Sequence, residues 1–340
     1  MTATHDVTLL LGRELSAEER ATALGIGNAL RTAGLDVHHQ TGRGASRIWL
    51  VAATQQEFAA TRNQVATGSP VVALPMLRTR DELRGWSALL HGVQAIWSPS
   101  EEAATALACA DTPALRIGPA CELGRPSHRS RSTLGLREED CVFVALLDSR
   151  TTERSTRMLR EAWLARYSDL ETRFSRVSLH VSTDDKAQHE DWLRFCDRSD
   201  ICITTVELRD RDPWRLAAMA ELGDCAIAFA EHSASGLLPS WHASTMLMNG
   251  KHVIGVGPCG LERLGESTPP NLHALTEGSA DALGAAVAAV AEAHPAALGV
   301  AQARAKSLFL SCSARAVAVR CVESLRTVGL WDELASASIT

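Results

Sequence analysis

The stretch between two short apolar runs, Cys225–Phe229 and His252–Gly255, carries small and polar residues suited to anion binding. Both runs are typical of strands in a sheet covered on both faces. Between them lie residues 231–236, EHSASG, and then Pro239-Ser240, which predicts a helix start. Where a parallel strand ends and a helix begins, backbone N–H groups and the helix dipole favour phosphate. An ordinary strand–loop–helix unit without a ligand is the open alternative.

Alternating strands and helices must position this stretch. Apolar runs predict strands at residues 6–11, 35–38, 48–51, 70–74, 93–99, 113–117, 141–147, 177–181 and 201–206, and an edge strand at 272–275. Helical patterns lie between them, and a long helix is predicted over 301–327. This alternation predicts an α/β protein with parallel, doubly wound sheets.

Two domains are expected in a chain of 340 residues. The segment 126–133 is polar, basic and without periodicity, so it is predicted to be the linker. The domains are then 1–125, which is short, and 134–312, and a C-terminal helix in 313–340 is expected to cross back to the first domain. Two such halves would face a cleft, which is a common location for a small-molecule site.

Composition excludes several classes of function. The net charge of −6 and the pI near 6.1 argue against nucleic acid as the main partner. No apolar run approaches the about 18 residues that a membrane span needs, and residues 1–6 lack a signal-peptide pattern. A cytoplasmic protein is therefore expected, with the choice between homo- and hetero-oligomer left open.

Cysteine and histidine spacing predicts no metal site. The nine cysteines include no CxxC pair, and several, such as Cys141 and Cys202, lie within apolar runs. We interpret them as reduced and structural. The histidines show no ligand spacing of the HExxH type. Neither a metal nor another cofactor is expected.

Four segments occur in an order and at spacings that resemble a known family. They are AIWSPSEEAATAL (95–107), ALRIGPACELGRP (114–126), STLGLREEDCVFVALLDS (132–149), and DRDPWRLAAMAELGDCAIAF (210–229) with NGKHVIGVGPCGLE (249–262). Together they resemble the retaining glycosyltransferases of the GT-B type, in the large group 1 or family 4-like set that uses nucleotide-diphosphate sugars. The resemblance implies two Rossmann-like domains facing a cleft, with the acceptor on the first and the donor on the second.

The resemblance also implies roles for individual residues. Arg154 matches an arginine that would hold the diphosphate with its forked guanidinium, and Ser149 and Arg150 lie in the same turn. Val206 and Glu207 end the strand whose counterpart contacts the base.

Further candidates lie at other strand ends. Gly12 at the first turn would allow close approach of a ligand, although a plain strand exit is an equal alternative. His232 is a candidate to act on the sugar or the acceptor, and His242 to replace a ribose contact. The remaining donor-side candidates are Ser235, Gly236, Ser240, Thr245, Gly257 and Glu262.

The sequence departs from the family's pattern at the donor site. Ser155 stands where a lysine is expected, and Thr245 where the second of two glutamates is expected. The loop 233–236 has small residues where an acidic residue is expected.

These departures leave two main hypotheses of function. The first is transfer of a sugar from a nucleotide-diphosphate donor to a small acceptor, with retention implied by the resemblance. The alternative is a catalytically silent GT-B paralogue that acts as a binding or activating subunit. Another two-domain α/β enzyme, such as a sugar-nucleotide epimerase, is a third.

Overall fold

Buried apolar runs form the strands of two sheets in this computed structural model, which describes residues 5–40, 46–108, 111–123, 130–134, 140–148, 150–173, 177–199, 203–208, 211–233, 237–261, 264, 268–293 and 311–335. The strands are β1 (His5–Leu11), β2 (Val37–Gln40), β3 (Ser46–Thr54), β4 (Val71–Met76), β5 (Ala95–Ser98), β6 (Ala114–Arg116), β7 (Cys141–Leu147), β8 (Val177–Thr183), β9 (Ile203–Glu207), β10 (Cys225–Phe229), β11 (His252–Val256) and β12 (Leu272–Leu275). The helices are α1 (Ala17–Thr32), α2 (Phe58–Arg62), α3 (Leu83–Leu89), α4 (Glu101–Leu107), α5 (Glu153–Arg173), α6 (Lys186–Ser199), α7 (Pro213–Leu222), α8 (Trp241–Met248), α9 (280–293), α10 (Ala314–Thr327) and α11 (Leu330–Ala335).

The first unit comprises Met1–Leu15, Glu19–Gly124 and Leu310–Thr340. Its sheet has the order β2-β1-β3-β4-β5-β6, and every strand pair is parallel. A parallel sheet needs crossover connections, and α1, α2, α3 and α4 follow β1, β3, β4 and β5 as the sequence predicts.

The C-terminal helices belong to the core of this first unit. Val317, Cys321 and Leu325 on α10 are buried in the same apolar cluster as β1 and β3 to β5. Trp97 of β5 also donates its indole N–H to the Ser324 hydroxyl over 2.7 Å. Residues far apart in sequence therefore form one core.

The helix predicted over 301–327 is interrupted at Ser313: residues 311–312 are helical, and α10 begins at Ala314. Ser313 has an extended backbone, with ψ 154°, and its side chain accepts from the Ala316 N–H at the start of α10. A serine at this position favours a cap over a continuing helix, because its side chain satisfies an N–H that has no intrahelical partner. Residues 301–310 lie outside the described part of the chain.

The second unit comprises Ser16–Glu18 and Arg125–Phe309. Its sheet has the order β12-β11-β10-β7-β8-β9, again with parallel pairs throughout. The edge strand predicted at 272–275 is present as β12. Strand order reverses between β7 and β10, since the chain passes from β7 to β8 on one side and returns to β10 on the other.

The described part of the predicted linker contains a 3₁₀ turn. Arg131 lies in a 3₁₀ turn, Arg131–Leu134, and its guanidinium donates to both carboxylate oxygens of Asp224 over 2.7 Å. Its Nη1 also donates to the Asp140 carbonyl. These bonds fix the chain at the entrance to β7 in the second unit.

Within the described ranges, no helix combines the length and the apolar character needed to cross a membrane.

Candidate functional site

The carboxyl ends of β7 and β10 define the expected position of a ligand in the second unit. In a doubly wound sheet, ligands bind outside the strand ends at the point where strand order reverses. α5 follows β7 there, and a 3₁₀ turn, Ala230–Ser233, follows β10. The start of α8 is reached next along the chain. We call this region the switch-point site.

The start of α5 holds a carboxylate oxygen. Thr152, the residue before the helix, donates its hydroxyl to Glu231 Oε1 over 2.8 Å. Ser155 donates to the same oxygen over 2.6 Å, and its backbone N–H donates to Thr152 Oγ1. Glu231 lies two residues after the end of β10, so this one oxygen atom joins the end of β10 to the start of α5.

The start of α8 also holds a carboxylate oxygen. Ser240 caps the helix by accepting from the Ala243 N–H, as the Pro-Ser pair predicts. Its hydroxyl donates to Glu18 Oε1 over 2.5 Å, and the His242 backbone N–H donates to the same atom over 3.1 Å. Ser240 and Glu18 are both buried. An acceptor here is favoured by the helix dipole as well as by the two donors.

Arg150 is the cation next to these groups. Its guanidinium donates to Asp148 Oδ2 over 2.7 Å and to Glu18 Oε2 over 3.1 Å. Its side chain is only 9% exposed. Because this guanidinium bonds two carboxylates, its charge is already compensated in the described structure.

Other predicted residues have different surroundings. Arg154 is exposed on the first turn of α5. The His242 ring and the Thr245 side chain are buried on α8, and Thr245 Oγ1 has no hydrogen-bond partner among the described residues. Val206 and Glu207 lie on β9, which β8 separates from β7.

Two predicted glycines serve backbone geometry. Gly12 lies in the first unit, where a Cβ atom would come within 2.5 Å of Glu57 Oε2. Gly257 has a φ of +76°, and its N–H donates to the Leu275 carbonyl. A side chain would be strained at Gly257, since L-residues rarely adopt positive φ.

Some predicted residues are not described. Ser149, Ser235, Gly236 and Glu262 lie outside the described residues. The backbone of His232 lies in the 3₁₀ turn after β10, and its side chain is outside the description.

Three carboxylates at the site are not among the residues predicted from the sequence, those of Glu18, Asp148 and Glu231. Glu231 could have been found, because it lies two residues after a buried strand and so must be near the strand end. Asp148 follows β7 directly. Glu18 lies more than 200 positions before Ser240 in the chain, and no local pattern connects the two residues.

Within the described ranges, no group of three or more His, Cys, Asp or Glu side chains is arranged to hold a metal ion.

No known protein family and no curated protein sequence matches this chain. Solved structures do resemble it. HepE of Anabaena, crystallised in complex with UDP, is 13% identical with a TM-score of 0.61, covering 95% of this chain and 100% of its own. A glycosyltransferase of Rickettsia africae is 12% identical with a TM-score of 0.58, covering 95% and 98%. The α,α-trehalose 6-phosphate synthase of Burkholderia multivorans is 11% identical with a TM-score of 0.54, covering 93% and 76%. With its two six-stranded parallel sheets, the chain therefore has the fold of the GT-B glycosyltransferases, two Rossmann-like domains.

Proposed function

We propose that this protein is a glycosyltransferase that moves a sugar from a nucleotide-diphosphate donor to a small acceptor. One observation carries the proposal. The first turns of α5 and α8 bind carboxylate oxygens through hydroxyl and N–H donors, from Thr152 and Ser155 at one helix and Ser240 and His242 at the other. A diphosphate oxygen is the same kind of acceptor, and helix starts favour it.

The chemistry follows from charge development during transfer. As the sugar departs, negative charge grows on the diphosphate, and donors already oriented toward it lower the barrier. Hydroxyls of α5 and the start of α8 supply such donors. The exposed guanidinium of Arg154 is within the same first turn of α5 and adds a cation that can bind two phosphate oxygens. When the diphosphate binds, its oxygen atoms replace the carboxylate oxygens of Glu231 and Glu18 as acceptors of these hydrogen bonds.

The donor is proposed to carry uracil, with Val206 and Glu207 near the base. HepE has been crystallised with UDP and with UDP and glucose, and this supports UDP-sugars as the first donors to test. Transfer with retention and a role for His232 toward the acceptor are parts of the same proposal, and they rest on the family resemblance.

A catalytically silent paralogue is the second candidate. The carboxylates of Glu18 and Glu231 favour it, because each places negative charge where the diphosphate would bind. Asp148 and Glu18 already neutralise the charge of Arg150, and this also favours a silent paralogue. Such a protein would act as a binding or activating subunit of an active partner.

Thermal melting with a panel of UDP-, GDP- and dTDP-sugars separates the two candidates. A ligand that binds only the folded state stabilises it by RT ln(1 + [L]/Kd), which is about 2.7 kcal/mol at 100 times Kd. We expect a UDP-sugar to raise the melting temperature, and product analysis with simple sugar acceptors to show transfer. No shift with any donor supports the silent paralogue, and a shift without transfer limits the protein to nucleotide-sugar binding.

A further inference from the structure

Two cysteines meet in the first unit, away from the switch-point site. Cys121 lies after β6, and Cys312 lies before α10. The Cys121 backbone N–H donates to the Cys312 carbonyl over 3.4 Å, and the Cys121 thiol hydrogen-bonds the Cys312 sulfur. This direct contact between the two main chains brings the residues together, as a disulfide requires.

Polar contacts hold the two segments together on both sides of the pair. The Ala314 N–H donates to Glu122 Oε2 over 2.7 Å. Arg320 donates its Nε–H to the Ile117 carbonyl and an Nη2–H to the Ser311 carbonyl, both over 2.6 Å. The two cysteines are therefore held in place by these three hydrogen bonds as well as by the backbone bond between them.

The electrostatic surroundings differ from those of an inert buried thiol. The hydrogen bond from Cys121 lowers the pKa of Cys312 to about 7, with help from Ser311 and from the charges of Arg320 and Arg116, against the opposing effect of burial. By contrast, burial raises the pKa of Cys321 on α10 to about 12. Since the thiolate is the nucleophile, Cys312 is the reactive member of the pair at neutral pH.

We propose that Cys121 and Cys312 are a redox site that closes to a disulfide in the presence of hydrogen peroxide. The Cys312 thiolate attacks one peroxide oxygen, which breaks the O–O bond and leaves a sulfenic acid and hydroxide. The Cys121 sulfur then attacks the Cys312 sulfur, and the sulfenic oxygen leaves as water with its own hydrogen and the Cys121 proton. The hydroxide from the first step takes up the proton that the Cys312 thiol had lost, which gives the second water. In total, two thiols and one peroxide give one disulfide and two water molecules. A small oxidant suits the site, because the two residues are only 3% and 2% exposed.

The position of the pair in the chain gives this disulfide a consequence. The chain passes between the two units after Gly124 and after Phe309, next to Cys121 and Cys312. A bond between these cysteines closes a loop that contains all of 125–309. Closing so long a loop restricts the unfolded chain and stabilises the folded one.

Peroxide titration of the full-length protein tests the proposal. We expect the intact mass to fall by the mass of two hydrogen atoms, and a digest to contain a peptide cross-linked between Cys121 and Cys312. The melting temperature should rise by about 4–8 °C, and a dithiol reductant should reverse these changes. C321S is the matched control, because it removes a buried thiol from α10 outside the pair, and it should form the same cross-link. C121S should stop at a sulfenic acid on Cys312 that a cyclic diketone traps. The proposal would be overturned if peroxide oxidised the folded wild-type protein without giving the 121–312 peptide, or if other cysteines were cross-linked first. This result does not depend on how the variants fold.

Discussion

Carboxylate oxygens lie where diphosphate oxygens are proposed to bind. Glu231 accepts from Thr152 and Ser155, and Glu18 accepts from Ser240 and the His242 N–H. The family resemblance leads us to expect a lysine at the position of Ser155, and the structure has there a hydroxyl that donates to the Glu231 carboxylate. The same donors that stabilise these carboxylates would stabilise a bound diphosphate, and binding then includes the free energy of displacing them.

Glu231→Gln tests this competition. The amide oxygen still accepts from Thr152 and Ser155, while the negative charge is lost, so repulsion of a diphosphate falls. We expect affinity for UDP to rise about fivefold or more, which is about 1 kcal/mol. Titration calorimetry measures the change, and Glu161→Gln, an exposed residue of α5 beyond its first turn, is the charge-matched control. Equal affinity of wild type and E231Q would place the diphosphate elsewhere.

Arg154→Ala tests the proposed cation of the site. Loss of a charge-assisted bond to phosphate removes about 1.5–3 kcal/mol, so affinity for the nucleotide sugar should fall about 10- to 100-fold. Arg194→Ala on α6 removes a charge that is also exposed in the same unit, and it should leave binding unchanged. If R154A binds and turns over like wild type, Arg154 is not part of the site.

The strand β8 places three polar side chains in the buried interior of the second unit. Ser178, His180 and Ser182 alternate along one face of this strand and are buried. Their side chains have no hydrogen-bond partner among the described residues. Burial, followed by the charge of Arg215, lowers the pKa of His180 to about 3.

This pKa predicts a pH dependence of stability. Between pH 6.5 and about 3, the unfolded chain binds a proton at His180 and the folded chain does not, so the free energy of unfolding falls as pH falls through this window. The contribution approaches about 1.4 kcal/mol per pH unit. The free energy of unfolding, measured with urea from pH 7 to 4.5, should therefore change less with pH in H180L than in wild type. H91N, at an exposed histidine, should keep the wild-type slope, and an unchanged slope in H180L would contradict the pKa.

Local patterns in the sequence predict elements better than they predict the site. Apolar periodicity predicts β7, β10, β11 and β12, and the serine at 240 predicts the cap of α8, because these features depend on near neighbours. The break before α10 was missed, since helix propensity in 301–327 does not show that Ser313 caps a new helix. Contacts of Glu18 and Glu231 depend on which strand ends the fold brings together, and no local pattern specifies that.

For the whole molecule, the first unit is assembled from both ends of the chain. The C-terminal helices contribute six buried residues to a core whose other buried members precede residue 125: Val317, Ala318, Cys321 and Leu325 of α10, and Leu330 and Leu334 of α11. The Cys121–Cys312 pair lies in the first unit, close in sequence to the point where the chain returns from the second unit. The stability of this unit therefore depends on residues that follow the whole second unit.

Leu325→Ala tests this dependence. Leu325 is 1% exposed, so the truncation leaves a cavity and should cost about 2–5 kcal/mol of unfolding free energy. Val319→Ala on the same helix is the control, because Val319 is 53% exposed and should change stability by less than about 0.5 kcal/mol. Chemical denaturation followed by tryptophan fluorescence measures both. Equal effects of the two substitutions would mean that α10 does not pack into the first core in solution.

Hydrogen exchange of the full-length protein with and without a saturating UDP-sugar tests the central claim most directly. Donor binding at the switch-point site predicts slower amide exchange in peptides that cover the first turn of α5, at 150–156, and the start of α8, at 237–245. Peptides of α2 and α3 in the first unit should serve as internal references without this protection. Unchanged exchange in both site segments, with donor binding established independently by calorimetry, would contradict the account.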